Sequence, residues 1–282
     1  MLETRITAAP LPQRKEIADG IVARLTETLD EARGQWRAGH AVRSAVIDEL
    51  LPEPLALAIG SAFPSLDAMT AKGSIRERKY VGAQMNRYSP LLEEAVFAFQ
   101  DARVIALVAE ITGLRAIEPD ADLYAGGISA MAPGNFLRPH LDNSHDARRQ
   151  RYRVLNLLYY VTPGWQEADG GSLQLWDNGP KGAPRTIASK FNRLALMATD
   201  RCSWHSVNEV VGQGVRQCVS NYYFSEQSPD RQPYFHATSF RAEHCAGLAD
   251  VVMRIDNSVR TAVLKLTGNR LYTNPHRYDR SA

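Results

Sequence analysis

The 282-residue chain has little to hold it together covalently: three cysteines, Cys202, Cys218 and Cys245, and no C-x-x-C pair. The odd number and the spacing argue against a disulfide framework or a cysteine-built zinc knuckle, and they suit a reducing, cytoplasmic setting. Charge of one sign is also missing. Lys and Arg total 33 against 31 Asp and Glu, a net of +2, so neither nucleic acid nor another polyanion is an expected partner. No apolar run approaches the ~18 residues a membrane-spanning helix needs, so no membrane partner is expected either. The opening MLETRITAAP carries Glu3 and Arg5 where a secretory signal would be apolar, so no signal peptide is expected. Internal repeats and low-complexity stretches are absent. What is present is an ordinary globular mix, 44% apolar and 23% charged, on a chain long enough to bury a substantial core.

The texture changes twice along the chain. Residues 15–113 read mostly as helix. Ile17, Ile21, Val22, Leu25 and Leu29 have helical spacing, and Pro90 opens a second helical stretch that runs to Gly113 with a break near Asp101. From 120 to 226, Gly and Pro clusters separate short runs rich in Tyr, Val, Leu and Phe. These are VLNLLYYV (154–161), GSLQLWD (171–177), FNRLALMA (191–198) and QCVSNYYF (217–224), a pattern of strands in a sandwich or barrel. Residues 241–267 return to helix, with an apolar stripe from Leu248 to Leu266 and Gly268 as its cap. No linker divides these parts, so one α+β domain over 1–282 is expected. It has a helical flank over 1–119, a β core over 120–228 and a helical extension over 229–282. The stripe is expected to pack on the sheet, with a homodimer through this C-terminal helix as the lesser expectation.

Two of the seven histidines lie where chemistry is expected. His140-Leu141-Asp142 follows a strand-like run, and His205 lies 65 residues further on in SWHSV. Two His and one carboxylate occupy one face of a metal and leave the opposite positions open, as in the facial triad of non-haem Fe(II) oxygenases. Arg216 follows His205 by 11 residues, where a strand begins. Strand side chains alternate, so Arg216, Cys218, Ser220 and Tyr222 share one face, as do Asn156 and Tyr160 on their own strand. If those faces line a barrel, Arg216 and Tyr160 can grip one carboxylate, the first by a charge-assisted bond and the second as a neutral donor.

The stretch from RPHLDNSH through LYYVTPGWQEADGGSLQLWD, FNRLALMATDRCSWHSV and VRQCVSNYYF resembles the prolyl-4-hydroxylase-like branch of the Fe(II)/2-oxoglutarate dioxygenases. It looks especially like the catalytic core of the hypoxia-factor prolyl hydroxylases. The resemblance covers roughly residues 122–226. It implies a double-stranded β-helix, or jelly roll, with Fe(II) on His140, Asp142 and His205. It implies that Arg216 and Tyr160 hold the 5-carboxylate of 2-oxoglutarate, with Asn156, Ser220 and Tyr222 lining that pocket. The implied co-reactants are 2-oxoglutarate and O2, with room for ascorbate as a supportive reductant. Asp142 points to hydroxylation, because halogenating relatives lose this carboxylate. The sequence departs from the pattern at Ala132, where relatives often place a Tyr before Pro-Gly. Tyr124 is the nearest residue to compensate.

The implied activity is hydroxylation of an unactivated C–H, with succinate and CO2 as co-products. A small molecule (an amino acid, natural-product intermediate, sugar or lipid) is expected ahead of a peptidyl proline, because the flanks hold no recognisable peptide-binding module. Arg138, Asn143 and Trp176 are candidates to meet that substrate, although Trp176 suits hairpin packing better. The basic run Arg148, Arg149, Arg151 and Arg153 reads first as a solvated face and second as a rim for an acidic substrate. Tyr234-Phe235-His236 could close over the site, and His145 reads as a loop histidine. Two other classes stay open. A nucleic-acid demethylase of the AlkB type needs a second Arg where this chain has Tyr222. A zinc-binding or non-catalytic cupin-like barrel has no use for Arg216 beside Tyr160.

Overall fold

A computed structural model describes residues 12–242, 250 and 278–279. Five α-helices precede most of the sheet: α1 Arg14–Glu27, α2 Leu29–Trp36, α3 Glu53–Ser61, α4 Pro90–Ala98 and α5 Ala102–Thr112. The strands in chain order are β1 Ser44–Ile47, β2 Thr70–Gly73, β3 Glu77–Gly82, β4 Ile117–Pro119, β5 Gly127–Met131, β6 Phe136–Leu141, β7 Tyr152–Tyr160, β8 Leu173–Leu175, β9 Arg185–Ile187, β10 Arg193–Ala198, β11 His205–Val207, β12 Arg216–Ser225 and β13 Ser239–Phe240.

They form one curled sheet in the order β1-β10-β7-β12-β5-β3-β6-β11-β8-β9, with β2 on β3, β4 on β12 and β13 on β6. Neighbours run antiparallel. The wide half, β1 to β5, curls through β3 onto the narrow half, β6 to β9, as a jelly roll with flanking helices.

The alternation of β7 assigns its two faces. Leu155, Leu157 and Tyr159 point outward into the main core, together with Leu194 and Leu196 of β10 and Val219 and Tyr223 of β12. The helices cover this face. Ile17, Ile21 and Leu25 of α1 fall at helical spacing and are fully buried there. Each such Leu or Ile contributes roughly 2 kcal/mol by burial. Tyr160 points the other way, into a second cluster with Leu173, Leu175, Ile187, Ala195, Met197 and Cys218. The break at Asp101 is real: its side chain accepts the Arg103 N–H at 2.9 Å and caps α5, which Gly113 ends at φ +70°.

The flank is less helical than its sequence suggests. β1, β2 and β3 lie within it: β1 forms one end of the sheet, β3 joins its two halves between β5 and β6, and β2 pairs with β3. The burial of β2 and β3 follows no period of two, so no local pattern marks them. Pairing of β3 to β5 and β6 sets their conformation. The helix expected over 241–267, the dimer seam along it and Cys245 lie outside the described residues, apart from 241, 242 and 250. Among the described residues no helix is long and apolar enough to cross a membrane.

Candidate active site

His140 was expected in a loop but lies within β6, and its neighbour across the ladder is His205, the first residue of β11. Facing positions put both rings on one side, with centroids 4.1 Å apart. Asp142 is two residues beyond His140, so the period of two brings it to the same side. The candidate ligand atoms of the three residues all lie within 4.8 Å of one another. Each imidazole is fixed by its own strand. His140 Nδ1 bonds the Arg138 carbonyl and His205 Nδ1 the Ser203 carbonyl, both at 2.9 Å. A carbonyl can only accept, so each Nδ1 carries the proton and each Nε2 keeps its lone pair for a metal. The Nε2 atoms lie 3.6 Å from the two oxygens of Asp142.

Burial also favours a ligating state. It holds the His205 pKa down to about 4, with His140 adding to the effect and Asp142 opposing it. Burial works against the Asp142 charge, yet Arg153 and the two histidines outweigh it and keep the carboxyl well below its usual range. The site therefore offers a neutral His205 imidazole and the Asp142 carboxylate at neutral pH.

This has a consequence for the metal-free protein. An unfolded His takes a proton near pH 6.5, whereas folded His205 refuses it until about pH 4. Between these values the unfolded chain binds more protons, so stability is full above about pH 6.5 and falls as pH drops toward 4. His145 and His236 act in the same direction, because burial lowers both. Urea unfolding of the metal-free protein across this range is expected to show the slope, and His205→Gln to flatten it.

Arg216 opens β12, 5% exposed, with its guanidinium 5.4 Å from the Tyr160 ring centre. No carboxylate among the described residues forms an ion pair with it, and its Nε is buried without a partner. Burial raises the Tyr160 phenol, so it stays a neutral donor. Gly171 makes room for the arginine: a Cβ there would stand 3.0 Å from Arg216 Cδ, at φ +66°. Ser220 is buried, 3.6 Å from the Cys218 thiol, and Ser129 of β5 also bonds that thiol. These small polar groups and Arg216 share the interior face of β5 and β12.

Other candidates fall elsewhere. Asn156 shares the interior face, but its Nδ2 donates to Asp142 Oδ2 at 2.8 Å. Tyr222 lies under Arg153, whose guanidinium carbon is 4.4 Å from the ring centre. Tyr124 is held through its N–H on Asp120 and contributes to the electrostatics around Arg153. Arg138 stacks over Phe136 at 4.5 Å, and the Asn143 side chain donates to the His145 carbonyl. Trp176 is buried and donates to Ser206 Oγ at 2.8 Å.

The basic run is no uniform solvated face. Arg148 is exposed and Arg149 stacks over Phe235. Arg151 pairs with Asp146 and Glu118. Arg153 is 3% exposed and pairs with Asp142 at 3.0 Å. Sequence parity conceals this arginine, because 153 and 156 should face opposite ways. A bulge at Val154, where Arg153 and Leu155 oppose consecutive residues of β12, turns it inward.

The Tyr234–Phe240 segment also adjoins the site. His236 shares three hydrogen bonds with Ser144, two residues beyond Asp142. Phe240 of β13 stacks on His140 at 5.1 Å. The motif Tyr-Phe-His gave a hint of the first contact and nothing local marks the second.

Residues 126–224 match the family profile described as the 2OG-Fe(II) oxygenase superfamily. Two prolyl 3-hydroxylases named OGFOD1 are similar over the core. The Xenopus laevis protein is 32% identical over 93 residues, 32% of this chain and 18% of that protein. The Mus musculus protein is 29% identical over 105 residues, 36% of this chain and 19% of that one. The matched stretch thus spans less than a fifth of these relatives. Two solved structures share the fold. A Pseudomonas putida prolyl-4-hydroxylase aligns at TM-score 0.50 and 17% identity, over 73% of this chain and 98% of its own. A Phytophthora capsici prolyl 4-hydroxylase aligns at 0.53 and 18%, over 96% and 83%. The cofactors in the superfamily's description, Fe(II) and 2-oxoglutarate, fit the donor set found here: two free Nε2 lone pairs, one carboxylate and one buried arginine lacking an anion. Over the core at 126–224, the chain is similar to the 2OG-Fe(II) oxygenase superfamily.

Proposed function

We propose that the protein hydroxylates an unactivated C–H of a small-molecule substrate, consuming 2-oxoglutarate and O2 and releasing succinate and CO2. The observation that carries the reading is Arg216. A buried guanidinium without a carboxylate partner is costly to keep, and here it faces the interior of a jelly roll that also carries the His140, Asp142 and His205 triad. A dicarboxylate reaching from the triad to Arg216 would satisfy both.

His140, Asp142 and His205 would hold Fe(II), which supplies with 2-oxoglutarate and O2 the oxidising power that converts C–H to C–OH. The residues of the chain do the rest. Arg216 binds the far carboxylate, and Tyr160 donates to it as a neutral phenol. Ser129 and Ser220 keep that pocket narrow and polar. The two Nδ1-to-carbonyl bonds hold the imidazoles in the ligating tautomer. The clamp of His236 on Ser144 runs the chain past one side of the triad, which supports a compact substrate.

A second reading, hydroxylation of a prolyl residue, is favoured by the names of the relatives that match the core. Anaerobic addition of Fe(II) and then 2-oxoglutarate to the metal-free protein is expected to give the weak visible charge-transfer band of a 2-oxo acid chelate, absent in His140→Ala. No band at saturating metal would overturn the oxygenase reading and favour a zinc-binding barrel. A screen of free small molecules against proline-containing peptides separates the two substrates. The product to find has gained one oxygen atom, and its formation accelerates succinate release. A response to peptides alone would overturn the small-molecule reading.

A further inference from the structure

We propose that Arg153 and Asn156 are positioning residues for the metal, reserving one oxygen of Asp142 so that this carboxylate ligates through the other alone. The inference rests on the reading that the triad binds the metal. Asp142 Oδ2 accepts from Asn156 Nδ2 at 2.8 Å and from Arg153 Nη1 at 3.0 Å. Among the described residues no hydrogen-bond donor lies on Oδ1, whose near neighbour is His140 Nε2 at 3.6 Å. The asymmetry matters because a carboxylate can ligate through one oxygen or two. Through two, it would take a fourth position on an octahedral ion, one that a facial triad leaves for co-substrate or O2.

The fold goes out of its way to build this arrangement. A regular β7 would send Arg153 to the face opposite Asn156, and the bulge at Val154 brings both to the same oxygen. Arg153 is buried at 3% exposure with its Nε unpartnered, and it stacks on Tyr222. A buried arginine–carboxylate pair is a poor way to gain stability compared with apolar packing. Its value here lies in directing Asp142: two donors fix the rotation of the carboxylate and occupy the lone pairs of Oδ2.

The test uses Mn(II), which is stable in air and whose bound waters speed solvent proton relaxation. An octahedral ion on three protein ligands keeps three waters, and two-oxygen ligation by Asp142 leaves two. The relaxivity per bound Mn(II) is therefore expected to fall by about a third in Arg153→Gln. Mn(II) and 2-oxoglutarate affinities are expected to fall about 10- to 100-fold. Arg153→Lys, which restores one donor, should recover most of the relaxivity. Asn156→Ala removes a donor without uncovering a charge, so it should show a smaller drop even if Arg153→Gln folds poorly. Unchanged relaxivity per bound ion in both Arg153→Gln and Asn156→Ala would overturn the proposal, even if affinity or stability changed. Failure of the wild-type protein to bind Mn(II) would overturn the triad reading itself, and is told apart because no variant enters that measurement.

Discussion

Arg216→Ala is expected to raise the 2-oxoglutarate concentration for half-maximal succinate formation by roughly 30-fold to several thousand-fold, the equivalent of about 2–5 kcal/mol for truncating one partner of a buried charge pair. The same change is expected to leave the metal-free protein as stable as before, or more so. Arg216 is buried with no acidic partner among the described residues, so its removal relieves a desolvation cost while losing packing against Tyr160 and Gly171. The two effects separate cleanly in a thermal shift. At 100 times its dissociation constant, a ligand stabilises the folded state by about 2.7 kcal/mol. The co-substrate should raise the wild-type midpoint accordingly and barely move that of the variant. Equal shifts in the two proteins would remove Arg216 from the co-substrate site. Arg216→Lys is expected to fall between them, because an ammonium supplies the charge without the two-pronged geometry.

The parts of this site legible in the sequence were those governed by local periodicity. H-x-D uses the period of two to aim His140 and Asp142 together. The same rule brings Arg216 and Ser220 to one face of β12 and Tyr160 to the interior face of β7. The helix break at Asp101 and the stop at Gly113 could be read because capping is local chemistry. What could not be read depends on the partner strand. Arg153 looked like one more cation in a solvated run, since only the pairing of β7 with β12 creates the bulge that turns it inward. Asn156 was on the right face, but its contact with Asp142 depends on how closely β6 approaches β7 across the jelly roll. β2 and β3 have no buried stripe of their own, and Phe240 reaches His140 through a two-residue strand on an edge that β6 already shares with β3. In each case tertiary pairing decides a conformation that local propensity leaves open.

The Arg153–Asp142 pair has a second consequence, independent of any metal. In chelator-treated protein, Asp142→Ala is expected to cost about 3 kcal/mol of folding stability, the lower end of the range for removing one member of a buried pair. The lower end applies because Asp120 also contributes to the electrostatics that favour the Arg153 charge, so it is not left wholly uncompensated. Asn156 loses its acceptor as well. Asp142→Ala combined with Arg153→Leu should recover most of the loss, since an apolar replacement of both partners removes the stranded charge. The sign of the pH dependence follows from the depressed Asp142 carboxyl. The contribution of the pair is fully present above the unfolded carboxylate value of about 4 and is lost as pH falls further. The gap between wild type and Asp142→Ala should therefore be constant from pH 6 to 8 and narrow as pH drops below about 4. Urea unfolding at several pH values checks this. If the double variant were no more stable than Asp142→Ala, the cost would lie in lost packing around Asp142, and Arg153 would have found another counter-charge in the folded protein.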